Sequence, residues 1–526
     1  MSGISRRTFA RLGALALAPG VALGAAADPL VQTSNGPIRG RREDGINVFK
    51  GIPYGAPTGG ENRFRRPRNP LPWQDPLEAL DYGPAAPQPA SPLFQDARMD
   101  EDCLVINVWT PGLGDGGDRP IMLWLHGGGF STLSGSSPMY DGTNLCQRGD
   151  VVVITLNHRL NVFGFLHLAD IAGGEFNGAG NLGMLDIAHA LQWVRQNARR
   201  FGGDPGNVTI FGESGGGRKT STLMGMPDAR GLFHRAIIQS GPGLHLQPRD
   251  KASEVAAAFL EALKLSPNDA AKLRELSVER LLAAHDAVAA GFDDAARLKG
   301  RFEQRGFVPT VGVPELPVYA FDPVASPLSA QVPLLIGSNR HEMALFLRGD
   351  PKIYDQTLTE ADLAERVALI VGNARDRVLE TYARQYPQTS PAERWVLITT
   401  DRTYRADSIT LAQRKAMQGP ATFMYYFTWQ SRTDPKLLSH HGLEIPFAFD
   451  NLDRTPWTST EPASQALAAR MSEAWIAFAR SGNPNAPALP SWPEYDPAQR
   501  ATMVLDAECR VANDPDAAVR HLWATL

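Results

Sequence analysis

The stretch Val208-Thr209-Ile210-Phe211-Gly212-Glu213-Ser214-Gly215-Gly216-Gly217 decides how the rest of this chain is read. A β-branched run ends at Gly212, one serine follows Glu213, and three glycines come next. This is G-x-S-x-G at the end of a strand. Its physics is steric: so sharp a turn from strand into helix strains the serine backbone, and its flanks must be glycine to avoid clashes. The strain lifts the Ser214 hydroxyl clear of the sheet, and the following amide is aimed at a developing oxyanion. The rival reading is a phosphate loop, since residues 212–220 spell GESGGGRKT. That pattern needs lysine directly after its last glycine, and Arg218 intervenes. Glu213 would also push a phosphate away. The nucleotide reading is rejected.

A serine is inert without a base, an orienting acid and donors for the oxyanion. The donors are expected upstream, in His126-Gly127-Gly128-Gly129-Phe130, directly after the apolar run Ile121-Met122-Leu123-Trp124-Leu125. Consecutive glycines let backbone amides approach a substrate oxygen with no side chain in the way. A merely flexible loop would explain the glycines but not their place at a strand end.

Further out, Val105–Trp109 and Val151–Leu156 read as strands, the latter continuously apolar as a buried parallel strand should be. Residues Leu185–Arg199 carry apolar positions at helical spacing and stop at Phe201-Gly202-Gly203-Asp204-Pro205. Beyond the central turn, 251–298 and 360–417 read as helical, Val332–Gly337 and Thr422–Trp429 as strands, and Ser464–Ala479 as a helix. Tyr82–Met99, rich in Pro and Ala, reads as a surface loop. The alternation of strand and helix argues a mainly parallel sheet covered on both faces. No internal repeat, long low-complexity tract or interdomain linker is evident.

With 526 residues, 43% hydrophobic and 21% charged, the chain can bury a large core as one elaborated domain. A formal net charge of -4 gives no reason to expect nucleic acid as a partner. Cys103, Cys146 and Cys509 are too few and too scattered for a disulfide framework or a zinc site. The first 27 residues read as an address: Arg6-Arg7, an apolar run over Leu12–Leu23, and Ala25-Ala26-Ala27 as a cleavage site. This predicts a twin-arginine export signal, a mature chain from about Asp28, and a periplasmic or secreted enzyme. An ordinary secretory signal is the alternative. The apolar run is too short to span a bilayer comfortably, and no other segment is a candidate membrane span.

A series of motifs in order carries a resemblance. It runs through Phe49-Lys50-Gly51-Ile52-Pro53-Tyr54, Arg63-Phe64-Arg65-Arg66-Pro67, Glu101-Asp102-Cys103-Leu104, the glycine loop, Asn157-His158-Arg159 and Gly180-Asn181-Leu182-Gly183. The central turn and Gln239-Ser240-Gly241 follow. The chain resembles the type-B carboxylesterases, the family of cholinesterases and bacterial para-nitrobenzyl esterases, over nearly all of the mature sequence. The resemblance implies an α/β-hydrolase fold for residues 28–526 as a single domain, with helical insertions over the active site. It implies that the acid is Glu342, in Gly337-Ser338-Asn339-Arg340-His341-Glu342, and that the base is His441, in His441-Gly442-Leu443-Glu444-Ile445-Pro446-Phe447. The residues alone do not choose between His440 and His441. The order serine, acid, histidine is what this fold requires.

By the same resemblance, the amides of Gly128, Gly129 and Gly215 form the oxyanion hole, although the family usually carries alanine where Gly215 stands. Glu213 resembles an acidic residue that tunes such sites and Ser240 one that hydrogen-bonds near the triad, both supporting. Arg63 with Glu101, and Arg159 with Asp186, resemble structural salt bridges. The tryptophan by which cholinesterases hold a quaternary ammonium is missing from residues 83–102, which contain Phe94 but no tryptophan. The cysteine that would pair with Cys103 is replaced by Ala86, which predicts an untethered loop and three free thiols.

The resulting expectation is a serine carboxylesterase acting through an acyl-enzyme, with a small-molecule ester as partner and neither metal nor organic cofactor. A lipase, an amidase, a specialised toxin or polyester hydrolase with the same triad, and a non-catalytic cholinesterase-like binding protein are the alternatives. A metal reading of His440, His441 and Glu444 lacks further ligands at sensible spacing. Monomer and dimer remain open.

Overall fold

Alternate residues of each central strand enter opposite cores, which is why these segments read as continuous apolar runs rather than alternating ones. In a computed structural model describing residues 28–90, 98–291 and 306–526, Ile121, Leu123 and Leu125 join one core, while Met122 and Trp124 join the other. The same division separates Val208 and Ile210 from Phe211, and Leu334 and Ile336 from Leu335.

The main sheet has eleven strands. They are β1 (Arg41–Glu43), β2 (Ile46–Pro53), β3 (Val105–Thr110), β4 (Arg119–Leu125), β5 (Val152–Leu156), β6 (Gly203–Glu213), β7 (Arg235–Gln239), β8 (Leu334–Asn339), β9 (Thr422–Phe427), β10 (Ala501–Leu505) and β11 (Arg510–Asn513). Their spatial order is β11-β10-β9-β8-β7-β6-β4-β5-β3-β2-β1. The pairs from β5 through β10 are parallel, and the outer strands at both ends pair antiparallel. This is the expected α/β architecture, with helices such as α1 (Leu182–Asn197) and α2 (Gly215–Leu223) against the sheet. The parallel centre puts the ends of β4, β6 and β8 at one edge, where ligands bind in open α/β sheets.

Between β8 and β9 lies a helical insertion with its own core, in which Met343, Leu363, Val367, Tyr382, Trp395 and Tyr404 pack together with Trp523. Both expected salt bridges are formed. Arg63 grips Glu101 through Nε at 2.7 Å and Nη2 at 2.5 Å, and Arg159 grips Asp186 through Nε at 2.8 Å and Nη2 at 2.6 Å.

The expectation of a surface loop over Tyr82–Met99 needs correction. Ala85, Ala86 and Gln88 are buried, and the Gln88 side chain makes a two-way bond with Leu133, accepting its N–H at 2.6 Å and donating to its C=O at 3.1 Å. Ala86 packs in one core with Cys103. Without a disulfide this part of the loop is nonetheless tethered, because an amide side chain satisfies the facing backbone. Phe94, the leader over 1–27 and the end of the helical stretch at 292–298 lie outside the described residues. Cys103, Cys146 and Cys509 are all unpaired by disulfide. No helix among the described residues is long and apolar enough to cross a membrane.

Candidate active site

Ser214 sits between β6 and α2 with φ 57° and ψ −120°, a conformation that L-residues avoid and that the sequence pattern requires. Its amide donates to the Gln239 carbonyl at 2.9 Å, and its own carbonyl accepts from the Arg218 amide at 3.0 Å, so the strained turn is held from both sides.

His441 and Glu342, far apart in the chain, come together here. Nδ1 of His441 donates to Oε2 of Glu342 at 2.6 Å, while Oε1 of Glu342 accepts the Asn339 amide at 2.7 Å. Both carboxylate oxygens are thereby fixed, and the imidazole is left with an unprotonated Nε2. That nitrogen has no hydrogen-bond partner among the described residues, and the Ser214 hydroxyl does not yet meet it. Serine, imidazole, Gly128 and Gly129 line one cavity of about 350 Å³. A base and nucleophile facing one cavity commonly close their hydrogen bond only with substrate present.

The two histidines separate clearly. His440 is fully buried, turns Nδ1 onto the His441 carbonyl at 2.8 Å and packs edge-on against Trp457. Burial lowers its pKa to about 4. Of the two, His441 is the one that meets an acid through its ring. Glu444 gives its oxygens to Asn339 Nδ2 at 2.6 Å and Gln239 Nε2 at 3.3 Å, and so is not poised with His440 as a ligand set.

The amides of Gly128, Gly129 and Gly215 find no hydrogen-bond acceptor among the described residues. Gly128 and Gly129 adopt φ of 79° and 63°, which side-chain-bearing residues rarely reach. These three free donors beside Ser214 are what an oxyanion requires.

Glu213 comes close to the imidazole. Its Oε1 is 3.1 Å from Nε2 of His441 without hydrogen-bond alignment. Burial, reinforced by the charge of Glu342, holds its carboxyl well above the usual range, so the uncharged acid is favoured. Burial also pushes Glu444 up to about 8, with Glu213 and Glu342 adding to it. Ser240 departs from expectation: its hydroxyl is buried without a partner among the described residues, and its contribution is a backbone turn at φ 48° whose amide donates to Gly337 O at 2.9 Å.

Several contributors were not legible beforehand. Tyr404, in a π-helical turn over Asp401–Arg405, and Phe346 lay their rings 4.9 and 5.0 Å from the His441 ring. Such turns recur at functional sites. Trp457 joins Leu133, Met139, Leu345, Phe346 and Ile445 as apolar wall. Tryptophan therefore does reach the cavity, from a segment far from the loop where its absence is evident.

Comparison with known proteins adds an independent finding at the level of the whole chain. A sequence model of the carboxylesterase family matches residues 27–523. The chain is 37% identical to the para-nitrobenzyl esterase of Bacillus subtilis over 94% of its length and 98% of that protein's. It is 33% identical to the phenmedipham hydrolase of Pseudarthrobacter oxydans, over 92% and 97%. A crystal structure of a Geobacillus stearothermophilus carboxylesterase superposes with a TM-score of 0.82 at 36% identity, covering 94% of this chain and 99% of that one.

Proposed function

The chain belongs to the carboxylesterase family and is a serine esterase of carboxylic ester bonds, and from that premise we propose that Ser214, His441 and Glu342 carry its chemistry. The observation that carries the assignment is the 2.6 Å bond from His441 Nδ1 to Glu342, which leaves Nε2 basic in the cavity that Ser214 shares. Nε2 takes the Ser214 proton as Oγ attacks the ester carbonyl, and Glu342 stabilises the imidazolium. The amides of Gly128, Gly129 and Gly215 receive the negative oxygen. The imidazolium then protonates the leaving alcohol, and water, activated by the same nitrogen, releases the acid from Ser214. Glu213 supports the site beside the imidazole, and Ser240 through its backbone turn.

The wall favours uncharged esters with an aromatic or compact apolar group, since Leu133, Met139, Phe346, Ile445 and Trp457 face the cavity and Glu213 is held neutral beside it. The names of the two relatives, a para-nitrobenzyl esterase and a phenmedipham hydrolase, support an aryl group. Ser214→Ala tests the assignment: ester hydrolysis should fall by about 10³ or more with folding intact, and a serine-directed organophosphate should label wild type at Ser214 alone. Substantial turnover by the alanine variant refutes it.

Residues 28–526 are read as a single catalytic unit, supported by one sheet running from Arg41 to Asn513. Export through a twin-arginine signal is supported by Arg6-Arg7 and the apolar run after them. Replacing both arginines with lysine should strand active enzyme in the cytoplasm; normal export of that variant points to the ordinary secretory route.

A further inference from the structure

Lys219 has no place in the mechanism, yet it is fully buried in α2, the helix that begins beside Ser214. A lysine in such a position normally needs a carboxylate. Here Nζ instead donates to the main-chain carbonyl of His126 at 2.8 Å, and burial lowers its pKa well below the ordinary value. His126 is the residue at which the chain leaves β4 for the glycine loop.

The loop's peptide planes show what that bond does. In a trans peptide the C=O of one residue and the N–H of the next point in opposite directions, so holding one aims the other. The Gly127 carbonyl is held by Nδ1 of His126 at 2.9 Å, which aims the Gly128 amide. The Gly128 carbonyl accepts from Ser131 and Thr132 at 3.2 and 3.1 Å, which aims the Gly129 amide. The first plane in the series, His126 to Gly127, is held by Lys219. The His126 ring that secures the second plane stacks on His158, with centroids 5.0 Å apart and planes 16° from parallel. Its Nδ1 faces a carbonyl and therefore carries a proton, and burial holds its pKa well below the usual range, so the ring is neutral.

The helix and loop touch without spacers. A Cβ on Gly216 would fall 1.8 Å from the Leu125 carbonyl oxygen, and one on Gly215 would fall 2.1 Å from that of Gly129. The glycines that follow the serine thus bring the start of α2 against the loop, and the lysine one turn later fastens the two.

We propose that Lys219 is a positioning residue for the oxyanion hole, setting the start of the glycine loop through the His126 carbonyl and so aiming the Gly128 and Gly129 amides at the reacting oxygen. The proposal rests on the esterase reading of Ser214. Its consequence is selective: losing the bond should weaken binding of a tetrahedral, negatively charged oxygen and leave binding of a planar ester alone.

The test compares Lys219→Met with wild type using three readouts. These are kcat and KM for a para-nitrophenyl ester, inhibition by a trifluoromethyl ketone that Ser214 attacks to form a tetrahedral adduct, and inhibition by a planar, unreactive ketone of the same shape. Expected are a kcat ten- to a hundredfold lower, KM within about threefold, trifluoromethyl ketone affinity reduced in parallel with kcat, and planar ketone affinity unchanged. Unchanged kcat, or equal losses for the two ketones, overturns the positioning role. If Lys219→Met does not fold, Lys219→Gln, with an N–H donor on a shorter arm, is measured instead. An intermediate kcat with selective loss of the trifluoromethyl ketone supports the role, and wild-type values or equal losses overturn it. Wild type must itself bind the trifluoromethyl ketone far more tightly than Ser214→Ala does. Failure of that control strikes the reading of Ser214 and the role of Lys219 with it, whereas equal losses for the two ketones with the control intact strike the role of Lys219 alone.

Discussion

Gly215→Ala makes a sharp demand on this geometry. The new methyl carbon would lie 2.1 Å from the Gly129 carbonyl oxygen, 2.5 Å from its nitrogen and 2.6 Å from its Cα. All three are backbone atoms, so no side chain can swing aside. Ordinary contact begins near 3.4 Å, and the two segments must therefore part by about 1.3 Å. The loop cannot yield freely, because the carbonyls of His126, Gly127 and Gly128 are each held. An amide moved by ~1 Å from a hydrogen-bonding distance of about 2.9 Å no longer bonds effectively. Loss of one such donor costs about 10²–10³ in kcat, equivalent to about 2.7–4 kcal/mol. Stability should also fall by ~1–3 kcal/mol from overpacking. Steady-state hydrolysis of a para-nitrophenyl ester measures the first, with KM expected to move little, and thermal unfolding the second. A variant with kcat within threefold of wild type and an unchanged melting temperature would refute the close packing of Gly129 on the turn.

His441→Ala should abolish turnover, while His440→Ala should only weaken it, because His440 meets no acid through its ring; steady-state kinetics of the two variants checks this, and the reverse ranking would move the base by one residue. Burial, reinforced by Glu213 and Glu342, pushes the Glu444 carboxyl from its ordinary value of 4.5 up to about 8, so between those values the folded protein keeps a proton that the unfolded chain has released. Its contribution to stability therefore falls as pH rises through that window. Urea unfolding of wild type and Glu444→Gln across the window should show the variant gaining relative to wild type toward pH 8, whatever its constant offset; a pH-independent difference rejects the shift. Thiol titration of denatured, unreduced protein should count all three cysteines, and the folded protein should react first at half-buried Cys509, since Cys103 and Cys146 are enclosed. A count of one would mean a disulfide.

What could be read in advance follows from how much freedom each position leaves. The turn at Ser214 and the loop at Gly128 and Gly129 were visible because their backbones exclude almost every residue but glycine. The central strands were visible because both faces are buried. Glu342 and His441 became assignable only through resemblance, since their partnership is made between segments that follow two strands far apart in the chain, and nothing local distinguishes His441 from His440. Lys219 was hidden by its helix: eight of the nine residues of α2 are buried, so no polar face marked the lysine as inward. Tyr404 was hidden for a related reason, because a π-helical turn breaks the 3.6-residue spacing by which a helix face is recognised. Tyr82–Met99 was misread because proline and alanine suit an exposed loop, whereas Gln88 on the Leu133 backbone, and Asn157 and Asn161 on the carbonyls of Pro84 and Pro87, hold its first part inward.

That glutamine has a consequence for how the enzyme can change. Leu133 is part of the cavity wall, and both its backbone groups are engaged by Gln88, a residue that does not itself line the cavity. Where a disulfide would bind this outer loop covalently and tolerate little, an amide pair can be lengthened, shortened or dropped by one codon. A change at Gln88 is therefore expected to reach the substrate only through Leu133, shifting ester preference while Ser214, Glu342 and His441 stay untouched.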